Sequence, residues 1–474
     1  MTGEPLTIAA AGDKLRRGEL TCVELTTSHL ERIAALNPRL HSFIEVSGED
    51  ALRQAASLDT ELAAGIDHGP LHGIPIAVKD LLDVAGVRTT AGSRLRAHAE
   101  PANADATVVA RLRAAGVVFL GKNNLAEFAA DMTGRNETYG DMHNPWDDDY
   151  SAGGSSGGTA SAVASGMCMA GVGTDTGGSI RFPASVCGVV GVRPTHGAVD
   201  LAGVFARAPT LDVAGPIART VDDASALLSA MTGRAVAQPG RSTPGLDGVR
   251  VGVIDDVSLI GLDPDVERSV CQAIDGLVKI GAEVRSVSIP EFDTLLTPHR
   301  LLDVLMYEFH TVMAKLPVGS CESQLVGSTV RENLDRGAAV SPDWYERALT
   351  DRMALRSRIG DIFDSVDVLA TPTQPVGPLL FGAEPVELER VRRFLLPTSY
   401  LGLPSVSVPC GKSDKGLPVG LQVIAAYRDE ATMLRVARAV ELLIGWRCLP
   451  AQRDPLAMPP GAHSGFGGSS AAIS

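Results

Sequence analysis

Residues 143–197 read HNPWDDDYSAGGSSGGTASAVASGMCMAGVGTDTGGSIRFPASVCGVVGVRPTHG, and nothing else in the chain has this texture. Glycine, serine and alanine crowd the stretch, yet it is no linker, because a Gly/Ser spacer lacks apolar patterning. Here the Ala/Val run after Gly158 predicts a closely packed helix, and CMAGVG and CGVVGV predict buried segments. The apolar part, Thr159 to Val172, is interrupted by Ser161 and Ser165 and is too short to cross a bilayer, which takes about 20 residues.

Working outward, GIPIAVKD (73–80) alternates Ile74, Ile76 and Val78 with Pro75, Ala77 and Lys79, as a strand does. DATVVARLRAAG followed by VVFLGK is a helix-then-strand unit that stops at Gly116. VRVGVID, DPDVERSVCQAIDGLVKIG and AEVRSVSI repeat the pattern, with Val266, Val270, Ala273 and Leu277 on the inward helix face. VDVLATPT, PSVSVPCG and LPVGLQVI are strand-like, and ATMLRVARAVELLIGW is an amphipathic helix. Strands in the first and last thirds predict one large sheet. The expected organisation is an N-terminal helical segment over 1–65, a core carrying the chemistry over 66–290, a helical cap or insertion over 291–362, a return to the core over 363–451, and a flexible tail over 452–474.

With 474 residues, 45% of them hydrophobic and 21% charged, the chain has material for a large core without disulfides or metals. Its net charge of −14 has the wrong sign for neutralising phosphates, so no nucleic-acid partner is expected. Seven cysteines, with no Cys-x-x-Cys pair, read as reduced thiols. The first twenty residues lack the apolar run of a signal peptide. Cytoplasmic placement follows, with no membrane partner.

Three elements bear chemistry. Ser155, in GGSSGG, fits the G-x-S-x-G elbow of α/β-hydrolases, but the polar, proline-broken NPWDDDYSA upstream is not the strand that elbow needs. Ser179, in GTDTGGSIR, follows two glycines at a turn where free backbone N–H groups converge, an oxyanion hole in outline. No Gly-Lys-Ser/Thr follows, so a P-loop is excluded. Lys79 ends an apolar strand; if burial kept it neutral it would be a competent general base.

Taken together, GIPIAVKD, GGSSGGTA and GTDTGGSIRFPAS closely resemble the amidase signature family, most strongly from Gly73 to Thr220. The resemblance implies an α/β fold, a large mixed, mostly parallel β-sheet covered on both faces by helices. It implies a Ser, cis-Ser, Lys triad with Ser179 as nucleophile, Ser155 as relay and Lys79 as base, a cis Gly154–Ser155 peptide, and an oxyanion hole of Thr176, Gly177, Gly178 and Ser179. Ser156 and the Asp175–Arg181 pair are expected to support the loop. Phe128, Met132 and Tyr150 are expected near the acyl pocket. No metal or cofactor is called for.

The expected activity is that of a free-standing hydrolase of linear carboxylic amides, working through an acyl-enzyme and extending to esters or carbamates. Its partner would be a small amide-type substrate, with a homodimer the one protein assembly allowed for. The alternatives are the glutaminase-type amidase subunit of a tRNA-dependent amidotransferase, which passes ammonia to a partner, and a non-catalytic binding protein on the same scaffold. The first alternative ranks lower because Met306–Leu325 lacks the Ser-Asn-Leu-Ala-Arg-Tyr-Asp-Gly type of block that such an amidotransferase component leads one to expect.

Overall fold

The structure is a computed structural model that describes residues 6–236, 245–254, 261–289, 298–316, 325–383 and 385–446. The expected tail over 452–474, Cys321 and Cys448 lie outside the described residues. Its strands are β1 (Phe43–Val46), β2 (Pro75–Lys79), β3 (Val118–Asn123), β4 (His143–Asn144), β5 (Asp147–Ser151), β6 (Ala170–Asp175), β7 (Val190–Arg193), β8 (Val213–Ala218), β9 (Arg250–Ile254), β10 (Glu283–Val287), β11 (Val368–Pro372), β12 (Ser405–Lys412) and β13 (Pro418–Ala425).

Eleven of them form one mixed sheet in the order β1-β3-β2-β6-β8-β7-β12-β13-β11-β9-β10, and β4 and β5 form a separate small hairpin. The sheet is parallel through β3-β2-β6 and through β11-β9-β10. Between these blocks the pairings are antiparallel. Sequence-distant strands thus share one sheet. Every residue of β2, β3, β6, β7, β8, β11 and β13 is buried, as strands covered on both faces require.

The glycine-rich stretch is a packing device. Helix Gly157–Ala164 is buried along its whole length, so it sits inside the molecule rather than on it. A Cβ on Gly158 would lie 2.4 Å from the Asn124 carbonyl oxygen and 2.7 Å from that of Ser42. A Cβ on Gly171, within β6, would lie 2.5 Å from the Thr159 methyl, and one on Gly173 would lie 2.9 Å from Ser156 Oγ. Glycines on both surfaces let helix and strand approach closely.

Helices Thr107–Ala114, Val221–Thr232, Glu430–Ile444 and Pro264–Lys279 touch one another in series as a cover of the sheet. The last buries Val266, Val270, Ala273 and Leu277, the face expected of it. At the N-terminus, Ile8–Arg16, Cys22–Leu40 and Gly48–Ala63 are helical, the second opened by a capping box between Thr21 and Glu24. Edge strand β1 lies between the last two; four residues among helices gave no periodic signal, and pairing with β3 makes it a strand. Helices Pro298–Met313, Ser328–Ala338 and Pro342–Ile362 build the region expected as a cap. Leu301, Leu305 and Leu355 join Phe394, Leu396 and Tyr400 in a second apolar cluster that also takes in Leu369 and Ile424 of the sheet.

Lys79 and Asp175 are the last residues of the neighbouring strands β2 and β6, so the chemistry-bearing loops gather at the carboxyl ends of the parallel block. If close approach is the reason for the glycines, Gly158→Ala costs about 1–3 kcal/mol through overpacking. Gly360→Ala, in an exposed helix position with open space around it, is neutral or stabilising. Urea unfolding midpoints of the two variants measure this; equal effects would contradict it.

Candidate active site

Lys79 is fully buried, and three hydroxyl oxygens surround its Nζ: Ser155 Oγ at 2.7 Å, Ser156 Oγ at 2.9 Å and Thr174 Oγ1 at 2.9 Å. No carboxylate stands within ion-pair distance of it among the described residues. Burial holds this amine well below the ordinary lysine range, against the weaker pull of Asp175 and Asp212. Thr174 lies within GTDTGGSIR but the sequence gives it no role there; the pairing of β2 with β6 brings its hydroxyl beside Lys79.

The Gly154–Ser155 peptide is cis. A Cβ on Gly154 would lie 2.8 Å from the Asp131 carbonyl oxygen and 2.9 Å from Met132 Cα, so the loop rests directly on that backbone. Ser156 ties the two glycine-rich loops together. Its N–H donates to the Ser179 carbonyl at 3.2 Å, and its Oγ donates to the Thr174 carbonyl at 3.1 Å. Ser179 keeps 7% of its surface exposed, whereas Ser155 and Ser156 keep none.

Asp175 organises the turn before Ser179. Its carboxylate accepts from the N–H groups of Gly178 (2.8 Å) and Ile180 (3.2 Å). Gly178 has φ +121°, a conformation that favours glycine. Of the four N–H groups expected in the oxyanion hole, that of Gly178 is therefore spent on Asp175, while those of Thr176, Gly177 and Ser179 have no acceptor among the described residues. The reason is local: a carboxylate three residues upstream closes the turn.

Arg181 meets Asp175 through two bonds, Nε at 2.9 Å and Nη2 at 3.0 Å, and also reaches Gln422 Oε1 at 2.6 Å and the Thr398 hydroxyl. A second arginine, Arg193, approaches the same carboxylate at 3.0 Å. No sequence motif signals it, since it comes from β7. Burial alone would push Asp175 up, but the two guanidinium groups hold it well below the usual carboxylate range. Asp212 is a further addition. It accepts from Thr176 Oγ1 at 2.6 Å and from the N–H groups of Arg207 and Ala208, and burial pushes it up to about 6.

The expected pocket residues divide. Phe128 is fully buried against Phe205 at 5.4 Å, and Met132 adjoins Gly154. Tyr150 lies on β5, partly exposed, with its hydroxyl accepting from Lys415 Nζ at 3.1 Å. With two buried arginines on one carboxylate, Asp175→Asn leaves both without a counter-charge and costs about 3–5 kcal/mol, measurable by chemical denaturation. A loss below about 1 kcal/mol would mean the cluster does not organise the turn.

Comparison with known proteins identifies the family. The family model described as Amidase matches residues 24–434. The chain is 37% identical to the A component of the glutamyl-tRNA(Gln) amidotransferase of Roseiflexus sp. (strain RS-1), over 93% of this chain and 97% of that protein. It is 38% identical to the protein of the same name from Salinispora arenicola (strain CNS-205), with 93% and 97% covered. Among solved structures, a crystal structure of an amidase superposes with a TM-score of 0.85 at 34% identity, covering 93% of this chain and all of that one.

These relatives correct two expectations. The free-standing amidase gives way to the reading as an amidotransferase component, because similarity along almost the whole chain outweighs the absence of one short block between Met306 and Leu325. The expectation of a small-molecule partner alone, with no nucleic acid and at most a homodimer, falls as well. Both relatives are named as one component of an enzyme named for a tRNA, and the charge of a single chain does not describe an assembly. Motif, fold and family model agree that the chain belongs to the amidase family, the amidase-signature hydrolases of carbon–nitrogen bonds.

Proposed function

We propose that this chain is the glutaminase-type, amide-cleaving component of a tRNA-dependent amidotransferase, working in the cytoplasm and passing ammonia to partner subunits. The observation that carries the chemistry is the hydroxyl cage around Lys79 beside the glycine turn at Ser179. The observation that favours the assembly is similarity over 93% of the chain to proteins named as this component. In such an assembly the tRNA need not touch this acidic chain, whose charge of −14 suits other surfaces better.

A charged ammonium would donate to all three hydroxyl oxygens around Nζ; a neutral amine donates to two and accepts from the third. In the neutral state Lys79 takes a proton from Ser155, Ser155 takes one from Ser179, and Ser179 Oγ bonds to the amide carbon. The carbonyl oxygen gains the negative charge and settles against the N–H groups of Thr176, Gly177 and Ser179. As the C–N bond breaks, Ser155 gives its proton to the departing nitrogen, and ammonia leaves behind an acyl ester on Ser179. Water then attacks that ester, its proton travelling back along the same relay, and the free acid departs. Asp175, Arg181 and Arg193 touch no reacting atom; they fix the turn.

Ser179→Ala and Lys79→Ala are each expected to lower kcat for ammonia release from glutamine by at least about 10³-fold, with the fold intact by circular dichroism. A fluorophosphonate should label Ser179 in the native protein, and absence of an adduct would favour a binding role. Because the reactive form of Lys79 is neutral and burial lowers its pKa, activity should rise with pH along a limb below the ordinary lysine range. That limb should vanish in Lys79→Ala; an unchanged limb would assign it to another group. The assembly is tested by isolating the tagged chain from its own host: a stoichiometric second protein supports it, and a fully active solitary chain overturns it.

A further inference from the structure

Strand β6 ends by dividing its side chains between two faces, as a pleated strand must. Asp175 turns to the side of Arg181 and Arg193, while Thr174 and Thr176, its two neighbours, line one small cavity together with Asp212. Thr174 places its hydroxyl against Lys79. Thr176 donates its own to Asp212 Oδ1 at 2.6 Å, and the two residues are withdrawn from solvent, at 4% and 8% exposed. The sheet sets up this pair: β6 and β8 run antiparallel with Asp175 opposite Val213, so one step further along the same register brings Thr176 opposite Asp212.

Asp212 is itself held from behind. Its Oδ2 accepts from the N–H groups of Arg207 at 2.8 Å and Ala208 at 2.9 Å, and the N–H groups of Leu211 and Asp212 close the segment into a turn on the Ala208 carbonyl, at 2.8 Å and 2.9 Å. The carboxylate thus bridges the backbone at 207–208 to Thr176, and hydrogen bonds to a charged acceptor make such a bridge firm. The N–H of Thr176 has no acceptor among the described residues and stands at the near end of the turn that Asp175 closes at the far end, through Gly178 and Ile180. Two carboxylates therefore grip this turn, one at each end, and the N–H groups of Thr176, Gly177 and Ser179 lie within the gripped span.

We propose that Asp212 is a positioning residue for amide cleavage: by holding the Thr176 hydroxyl it aims the Thr176 N–H at the amide oxygen as that oxygen becomes negative. This rests on the amide-cleaving reading above and adds to it a residue from outside the glycine-rich motifs. Asp212 touches no reacting atom. Its effect is felt in the transition state, because a donor that drifts from its place still lets the substrate bind but no longer meets the oxyanion, and the loss falls on kcat rather than on KM.

The test follows ammonia release from glutamine by the full chain with any proteins that co-purify, with urea unfolding midpoints as the check on folding. Thr176→Val replaces the hydroxyl by a methyl and keeps the N–H; it should lower kcat about 10- to 100-fold with KM within about twofold of wild type. Thr176→Ser restores a hydroxyl and should recover most of that loss. Asp212→Asn, left with one oxygen for three donors, should lower kcat about tenfold at unchanged KM. Adding it to Thr176→Val should cost little more, because both changes act through the same bond. An unchanged kcat in both Thr176→Val and Asp212→Asn, a loss carried by KM, a serine variant as slow as the valine one, or a double variant whose loss is the product of the single losses overturns the positioning role while leaving amide cleavage standing. If Thr176→Val does not fold, the split between kcat and KM in Asp212→Asn decides alone. A wild-type protein that releases no ammonia overturns the amide-cleaving reading, and the positioning role with it.

Discussion

Three hydroxyl oxygens and, among the described residues, no anion surround the amine of Lys79 at the buried end of β2, and the rest of the site is arranged around keeping it so. Burial disfavours its charged form, but a single carboxylate at contact distance would restore that form, because an ion pair in a poorly solvated place is strong. Three acids near it among the described residues are engaged elsewhere. Asp80, the next residue, pairs with Lys122 at 2.7 Å and with Thr90. Asp175 is shared by Arg181 and Arg193, and Asp212 accepts from Thr176 and two backbone N–H groups.

The same arrangement shapes the turn that the proposed mechanism uses to accept negative charge. Asp175 pulls the Gly178 N–H toward itself and so bends the chain, leaving the N–H groups of Thr176, Gly177 and Ser179 without an acceptor among the described residues. Leu395 and Leu396 cover this turn: a Cβ on Gly178 would lie 2.7 Å from Leu395, and one on Gly177 3.0 Å from Leu396. Helix Leu395–Leu401 thereby couples a late segment of the chain to the glycine turn, and Arg181 reinforces that coupling through Thr398 and Ser399.

Much of this site is legible in the sequence, and the reasons differ by residue. Lys79, Ser155 and Ser179 stand in motifs whose glycines and small neighbours mark close packing, and helix faces such as Val266 to Leu277 follow from periodicity. Arg193, Asp212 and Arg207 are not legible, because strand pairing and turns make them neighbours of the site and no local pattern marks them, and Thr174, though inside GTDTGGSIR, gets its place beside Lys79 only from strand pairing. Strand β1 is too short to announce itself. Partners escape the sequence for a different reason: net charge is a property of one chain, and the relatives are parts of an assembly.

The proposed mechanism of amide cleavage depends on an uncharged Lys79, and its most direct measurement is an NMR titration of the lysine side chains labelled at Cε and Nζ. The Lys79 resonance would be assigned by comparison with Lys79→Met. A resonance that titrates well below the ordinary lysine value of about 10.4 is the result expected here. A Lys79 that stays protonated up to that value would contradict the mechanism.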